Sequence, residues 1–222
     1  MFSFTGTEAL LFKKKFLVIS DLHIGIEYEL YKKGINIPSQ TNYLIKKIKN
    51  IKEKTNAEYL IINGDLKHNI PKTSYEEFNE IPYFIFEISS IFKKIYIIKG
   101  NHDGDLEELI PLDINNVKIL KSLKIGNVVF THGNYKPKLI GKYYVIGHHH
   151  FAKNILTSIG ETIYEKVFVV GYGDENIVII LPAFTDLSGY WDIGQFHGPI
   201  SKLIKKYEVY TLDGILIEKN NI

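Results

Sequence analysis

Five short runs in the chain carry residue types that bind metals or move protons: Asp21-Leu22-His23, Gly64-Asp65, Gly100-Asn101-His102-Asp103, His132-Gly133 and Gly147-His148-His149-His150. Six of the eight histidines lie in these runs, a clustering that scattered surface histidines would not produce. Carboxylates together with neutral imidazoles suit divalent transition metals. Because the cysteine count is 0, disulfides and thiolate sites are excluded, and any metal must be held by nitrogen and oxygen.

These runs are far apart in sequence, so the elements that precede them must bring them together. Each follows a short apolar, β-branched segment that predicts a buried strand: 16–19, 59–62, 95–98, 128–130 and 143–146. Helical periods fill the gaps between the first three, one over 39–54 with Leu44, Ile45, Ile48 and Ile51 on one face, another over 74–91. Alternation of strand and helix predicts an α/β sheet. Beyond about residue 112 the helical periods fade and short strands dominate, including a hairpin whose arms are 207–210 and 215–217 around Asp213-Gly214. In open α/β sheets, sites form at the carboxyl ends of strands, so five strand ends can converge on one point.

Composition narrows the class. A chain of 222 residues with 45% hydrophobic content can close one good core, which predicts a single domain over 1–222. A net charge of +2 is too small to mark a dedicated nucleic-acid binder, and Lys46, Lys47, Lys49, Lys52 and Lys54 fit the solvated face of a helix. All 27 basic residues are lysine. The start of the chain does not have the layout of a signal peptide, and no apolar run reaches the roughly 18 to 20 residues of a membrane span, so a cytoplasmic protein with no membrane partner is expected.

The order and spacing of the five runs resemble the calcineurin-like metallophosphoesterase family, whose signature is Asp-x-His, Gly-Asp, Gly-Asn-His-Asp/Glu, His-Gly and Gly-His-x-His. The resemblance implies an αββα sandwich with two mixed β-sheets and two divalent ions. One would be held by Asp21, His23, Asp65 and His150, the other by Asp65, Asn101, His132 and His148, with Asp65 shared. A shared carboxylate and a bridging hydroxide, the nucleophile, would let two cations coexist about 3.5 to 4 Å apart. Manganese is the ion expected first, with iron, zinc, cobalt or nickel open to the same donors. His102 would face the substrate, stabilising phosphorane charge or protonating the leaving oxygen, and Asp103 would orient it. His149, between two ligands, is read as structural or solvent-facing, and His197 has no motif support.

Three further stretches resemble one branch of that family, the phosphoesterases associated with DNA ligase and helicase genes: Asp21 through Gly25 to Gly34 and Pro38, Gly64-Asp65-Leu66-Lys67-His68, and Leu181-Pro182-Ala183-Phe184 before Ser188-Gly189. The last departs from the branch, which tends to carry paired glycines where this chain has Gly189-Tyr190. Lys67 and His68 are placed at the edge of the site. The partners implied are a phosphodiester substrate drawn from nucleic-acid ends or cyclic nucleotides, a second copy of the chain in a homo-oligomer and, by association alone, DNA-repair proteins. Two alternatives stand beside phosphodiester hydrolysis: a phosphomonoesterase or nucleotide-polyphosphate hydrolase, and a non-catalytic scaffold of the same fold.

Overall fold

A computed structural model describes residues 1–156 and 159–222. Its first sheet is built from β1 (Phe2–Phe4), β2 (Leu10–Phe12), β3 (Phe16–Ile19), β4 (Tyr59–Ile62), β5 (Lys94–Ile98) and β6 (Val117–Leu120), paired in that order. The next strands are β7 (Leu123–Ile125), β8 (Val128–Phe130), β9 (Tyr143–Ile146), β10 (Phe151–Leu156), β11 (Thr162–Lys166), β12 (Phe168–Tyr172) and β13 (Ile177–Ile180). The chain closes with β14 (Trp191–Asp192), β15 (Lys206–Tyr210) and β16 (Leu216–Asn221). The second sheet runs β16-β15-β12-β13-β9-β8-β7, and β11-β10-β14 form a small third sheet. Both large sheets are mixed: β3 to β6 are parallel, as are β8, β9 and β13, while β1, β2, β7, β12, β15 and β16 pair antiparallel.

The two large sheets pack face to face. Val18, Ile61 and Ile98 from the first meet Val128, Phe130, Val145, Phe168 and Ile179 from the second. The opposite face of the first sheet, with Leu17, Ile19, Leu60, Ile62, Ile95 and Ile97, is covered by α2 (Thr41–Thr55) and α3 (Tyr75–Ser89), which follow the shorter α1 (Ile26–Lys32). Burial on both faces explains why these strands read as continuous apolar runs rather than alternating ones. The outer layer on the second sheet is slighter. Ile200 of the one-turn α4 (Gly198–Ser201) and Ile204 pack there on Val129, Ile146, Val169 and Ile180, with Phe151 beside them.

Helix α3 starts where Ser74 accepts from the Glu77 N–H and Glu77 returns the contact to the Ser74 N–H at 2.6 Å. Its other carboxylate oxygen accepts from the backbone of His68 at 2.8 Å and Asn69 at 2.6 Å, so the same side chain that caps the helix also holds the loop after β4. In-register pairing of Ile19 with Ile62 and Ile62 with Ile97 aligns the carboxyl ends of β3, β4 and β5. Among the described residues no helix is long and apolar enough to cross a membrane.

Candidate metal centre

The ligand-bearing turns leave these aligned ends side by side. N–H groups of Asp21, Leu22 and His23 donate to the carbonyls of Gly64 and Asp65 at 3.0 Å each, which continues the parallel pairing of β3 and β4 past the strands. Asp21 (φ 57°), His23 (φ 48°), Asp65 (φ 51°), His148 (φ 71°) and His150 (φ 45°) all adopt the left-handed backbone region. Such residues cost on the order of 1 to 3 kcal/mol each and persist only where neighbouring structure imposes them. Asp21 and His23, like His148 and His150, stand two residues apart, with Leu22 in the core and His149 bonded to the Gly147 and His197 backbone between them. Gly64 (φ +100°) is required twice over, because a Cβ there would sit 2.2 Å from the His132 ring. On Gly147 a Cβ would lie 2.5 Å from Asp21 Oδ2.

Six of the seven expected ligands fall into two sets, Asp21–His23–His150 and Asp65–His132–His148, each with donor atoms within 4.8 Å of one another. Asp65 Oδ2 lies 3.1 Å from His132 Nε2 and 3.9 Å from His23 Nε2, so this carboxylate reaches both sets. Asp21 Oδ1 is 3.1 Å from His150 Nε2 and 3.9 Å from His132 Nε2. Asn101, the seventh, is exposed.

The ring hydrogen bonds decide which nitrogens face inward. His132 Nδ1 donates to the Asn63 carbonyl at 3.0 Å, and its buried Nε2, with no hydrogen bond among the described residues, lies 3.1 Å from Asp65 Oδ2 and so faces the centre. His150 Nδ1 is 3.3 Å from the Gly189 carbonyl, which leaves its Nε2 3.3 Å from Nε2 of His23. Two imidazole lone pairs and a carboxylate oxygen converging in this way fit a divalent cation of the nitrogen- and oxygen-loving kind.

Electrostatics point the same way. Burial would raise the carboxyls of Asp21 and Asp65, yet the facing histidines outweigh it and hold both well below the usual carboxylate range. Burial pushes His23 down to about 3, and burial with the nearby His132 takes His148 down to about 4, which keeps both rings neutral as ligands must be. Burial also opposes charge on His132, but Asp65 and Asp21 overcome it and lift that ring to about 10. The pair of buried carboxylates thus demands positive charge at the centre.

Several residues beyond the motif reading shape the site. Asn63, fully buried, donates to the carbonyls of Thr131 at 3.1 Å and Val145 at 3.0 Å, tying the end of β4 to those of β8 and β9 across the two sheets. His68 sits 2.6 Å from Glu29 Oε2 of α1, its Nδ1 is 3.3 Å from His23 Nδ1, and its carbonyl meets His102 Nδ1. A chain from the Glu29 carboxylate through His68 therefore sets the tautomer of His23, and the His68 carbonyl does the same for His102. His149 is buried and spent on structure, with Nδ1 to the Gly147 carbonyl at 3.0 Å and Nε2 accepting from the His197 N–H at 3.1 Å. Asn63 belongs to none of the five runs and carried no signal in the sequence. Nothing in the sequence linked Glu29 to His68.

Two expectations are corrected. Asp103 does not orient His102: its buried carboxylate accepts from the N–H groups of Leu66 (2.9 Å), Lys67 (3.1 Å) and Gly100 (2.8 Å), stapling the loop after β4 to the loop after β5. Burial and the charge of Asp65 lift this carboxyl to about 6. Lys67 does not present a charge at the site edge, because its side chain is fully buried and its ammonium is turned to the Asn69 carbonyl.

Comparison with known proteins places this geometry. The family described as Calcineurin-like phosphoesterase matches residues 14–221, nearly the whole chain. The chain belongs to that family. A protein of Ruthia magnifica subsp. Calyptogena magnifica, described as "Probable cyclic nucleotide phosphodiesterase", is 37% identical over 91 residues, 40% of this chain and 33% of that protein. The matched segment thus spans a third of the length of this curated relative. Among solved structures, the nuclease MPE of Pseudomonas putida aligns with a TM-score of 0.63 at 18% identity, covering 95% of this chain and 90% of that one. At that identity the likeness is one of fold. Yfce, a phosphoesterase from E. coli, aligns with a TM-score of 0.49 at 14% identity over 93% of this chain and 98% of its own.

Proposed function

We propose that residues 1–222 form one metallophosphoesterase domain that hydrolyses phosphodiesters with two divalent ions, one held by Asp21, His23, Asp65 and His150, the other by Asp65, Asn101, His132 and His148. The observation that carries this reading is the pair of three-donor sets with Asp65 within reach of both. When bound, the ions would supply Lewis acidity and a nucleophilic water at neutral pH. Manganese is the ion to load first, with iron, zinc, cobalt and nickel open to the same imidazole and carboxylate donors.

The protein's own groups do the rest. Asp65, also bonded through Oδ1 to the His102 N–H at 3.0 Å, couples the centre to the loop that carries the substrate-facing imidazole. His102, its Nδ1 engaged by the His68 carbonyl, offers Nε2 to the phosphoryl oxygens or the departing alkoxide. Retention of every expected ligand together with His102 favours an enzyme over a scaffold. A diester is favoured over a monoester because a dianion brings an extra charge that phosphatases commonly meet with a guanidinium fork. This chain has no arginine, and Lys67 faces inward. The relative's description as a cyclic nucleotide phosphodiesterase supports the same choice. A role beside DNA-repair proteins rests on the branch resemblance alone.

The test is the metal-reconstituted enzyme on bis-(p-nitrophenyl) phosphate and p-nitrophenyl phosphate at equal pH and salt. The diester should give the higher kcat/KM, by roughly the 1.5 to 3 kcal/mol that one charged hydrogen bond is worth, about 10- to 100-fold. A monoester preference across several metals would overturn the diesterase reading and put phosphatase activity in its place.

A further inference from the structure

Beside the metal centre, between the loop after β5 and the loop after β8, lies a cleft of about 410 Å³ that no motif accounts for. Its wall at Gly100 backs directly onto the centre, since a Cβ on that glycine would lie 2.1 Å from Asp65 Oδ1. Across from it stands Asn134, two residues beyond His132. The cleft thus adjoins the centre through Gly100, and its volume falls in the range of roughly 300 to 1,000 Å³ typical of small-molecule sites.

The lining has three kinds of chemistry. Ile119 and Leu120 supply an apolar face, and Tyr135, whose hydroxyl donates to the Lys121 carbonyl, is held as a fixed aromatic wall. Asn134 carries a carboxamide whose buried Oδ1 has no hydrogen-bond partner among the described residues, so turning it toward a ligand breaks no bond at that oxygen. Lys121 forms no ion pair among the described residues, whereas Lys99 is held by Glu107 at 2.8 Å. An aromatic wall, an amide and a free ammonium are what a stacked base, its polar edge and a neighbouring phosphate require.

We propose that this cleft is a nucleoside subsite, which takes the sugar and base of the non-leaving arm of a nucleotide diester, with Tyr135 stacking on the base and Asn134 bonding its edge. The proposal rests on the phosphodiesterase reading and narrows it to nucleotide substrates.

Two esters with the same leaving group and charge test it: thymidine 5′-(p-nitrophenyl phosphate) and methyl p-nitrophenyl phosphate, which differ only in the arm the cleft would hold. The metal-loaded enzyme should prefer the thymidine ester by about 5- to 150-fold in kcat/KM, the range that stacking one base gives. That ratio should collapse toward one in Tyr135→Ala and fall in Asn134→Ala, and a ratio is insensitive to partial loss of folded protein. Equal use of the two esters by the wild type, or a preference that survives both substitutions, would overturn the subsite. Hydrolysis of neither ester would instead refute the phosphodiesterase reading. The subsite then stands or falls on equilibrium dialysis of thymidine 5′-monophosphate, with binding that Tyr135→Ala abolishes as the supporting result and no binding, or equal binding by both proteins, as the refuting one.

Discussion

Asn63 is the residue whose removal separates what holds the two sheets together at the site from what performs chemistry there. Asn63→Ala deletes two hydrogen bonds, to the carbonyls of Thr131 and Val145, in a fully buried setting. Each is worth about 1 kcal/mol net, and the small void adds on the order of 0.5 to 1 kcal/mol. Against this, Asn63 Oδ1 has no partner among the described residues, and deleting that buried orphan returns about 1 kcal/mol. Val145 also keeps its bond from the Thr131 N–H, so only the Thr131 carbonyl is left newly unpaired. The net loss is roughly 1 to 3 kcal/mol, which in urea should lower the unfolding midpoint by about 0.5 to 1 M. Asn63→Asp should be worse at neutral pH, because it sets a buried carboxylate against two carbonyl oxygens. That carboxyl would have a folded pKa above its unfolded one, so the penalty should shrink as pH falls and the group gains a proton it can donate. Urea melts of the three proteins at pH 7 and pH 4 measure both effects. An unchanged midpoint in Asn63→Ala, or equal stability of the two variants at pH 7, would refute the view that this amide cross-links the sheets.

Asp65→Asn should abolish hydrolysis and empty at least one metal position while the far-ultraviolet circular dichroism stays native, and metal counting after gel filtration reads the loss. Replacing His68 with alanine should weaken metal affinity by about 10- to 100-fold through His23, as expected for the partner that orients a ligand, and a competitive chelator titration would show it; unchanged affinity would break the proposed chain from Glu29. Far from the site, Lys219, Tyr210 and Tyr172 hold the Glu208 carboxyl down to about 2. Its folded pKa lies below the unfolded one, so its stabilisation is complete above about pH 4.5 and is lost as pH falls toward 2; the stability gap between wild type and Glu208→Gln should close over that window in chemical melts.

What could be read along the chain was whatever a local pattern determines. The strands at 16–19, 59–62, 128–130 and 143–146 coincide with β3, β4, β8 and β9, because burial on both faces makes each a continuous apolar run. The residues that follow them are the ones gathered at the centre, since the sheet delivers its carboxyl ends to one edge whatever lies between. The hairpin near the end was legible for a similar reason, with Gly214 in the turn between β15 and β16. Tertiary structure alone decided where side chains point once several loops meet. Asp103 was expected beside the ring of its neighbour His102, but three backbone N–H groups, two of them more than 35 residues away, claim its carboxylate. Lys67 was expected at the edge of the site, yet its loop runs against that of Asp21 and His23, and its side chain is enclosed. The contacts of Asn63 with Thr131 and Val145, of Glu29 with His68 and of Gly189 with His150 join segments 39 to 82 residues apart. Hydropathy and motif spacing report on the chain within a turn or a strand, whereas these contacts exist only because two sheets stack and bring distant loops within hydrogen-bond reach.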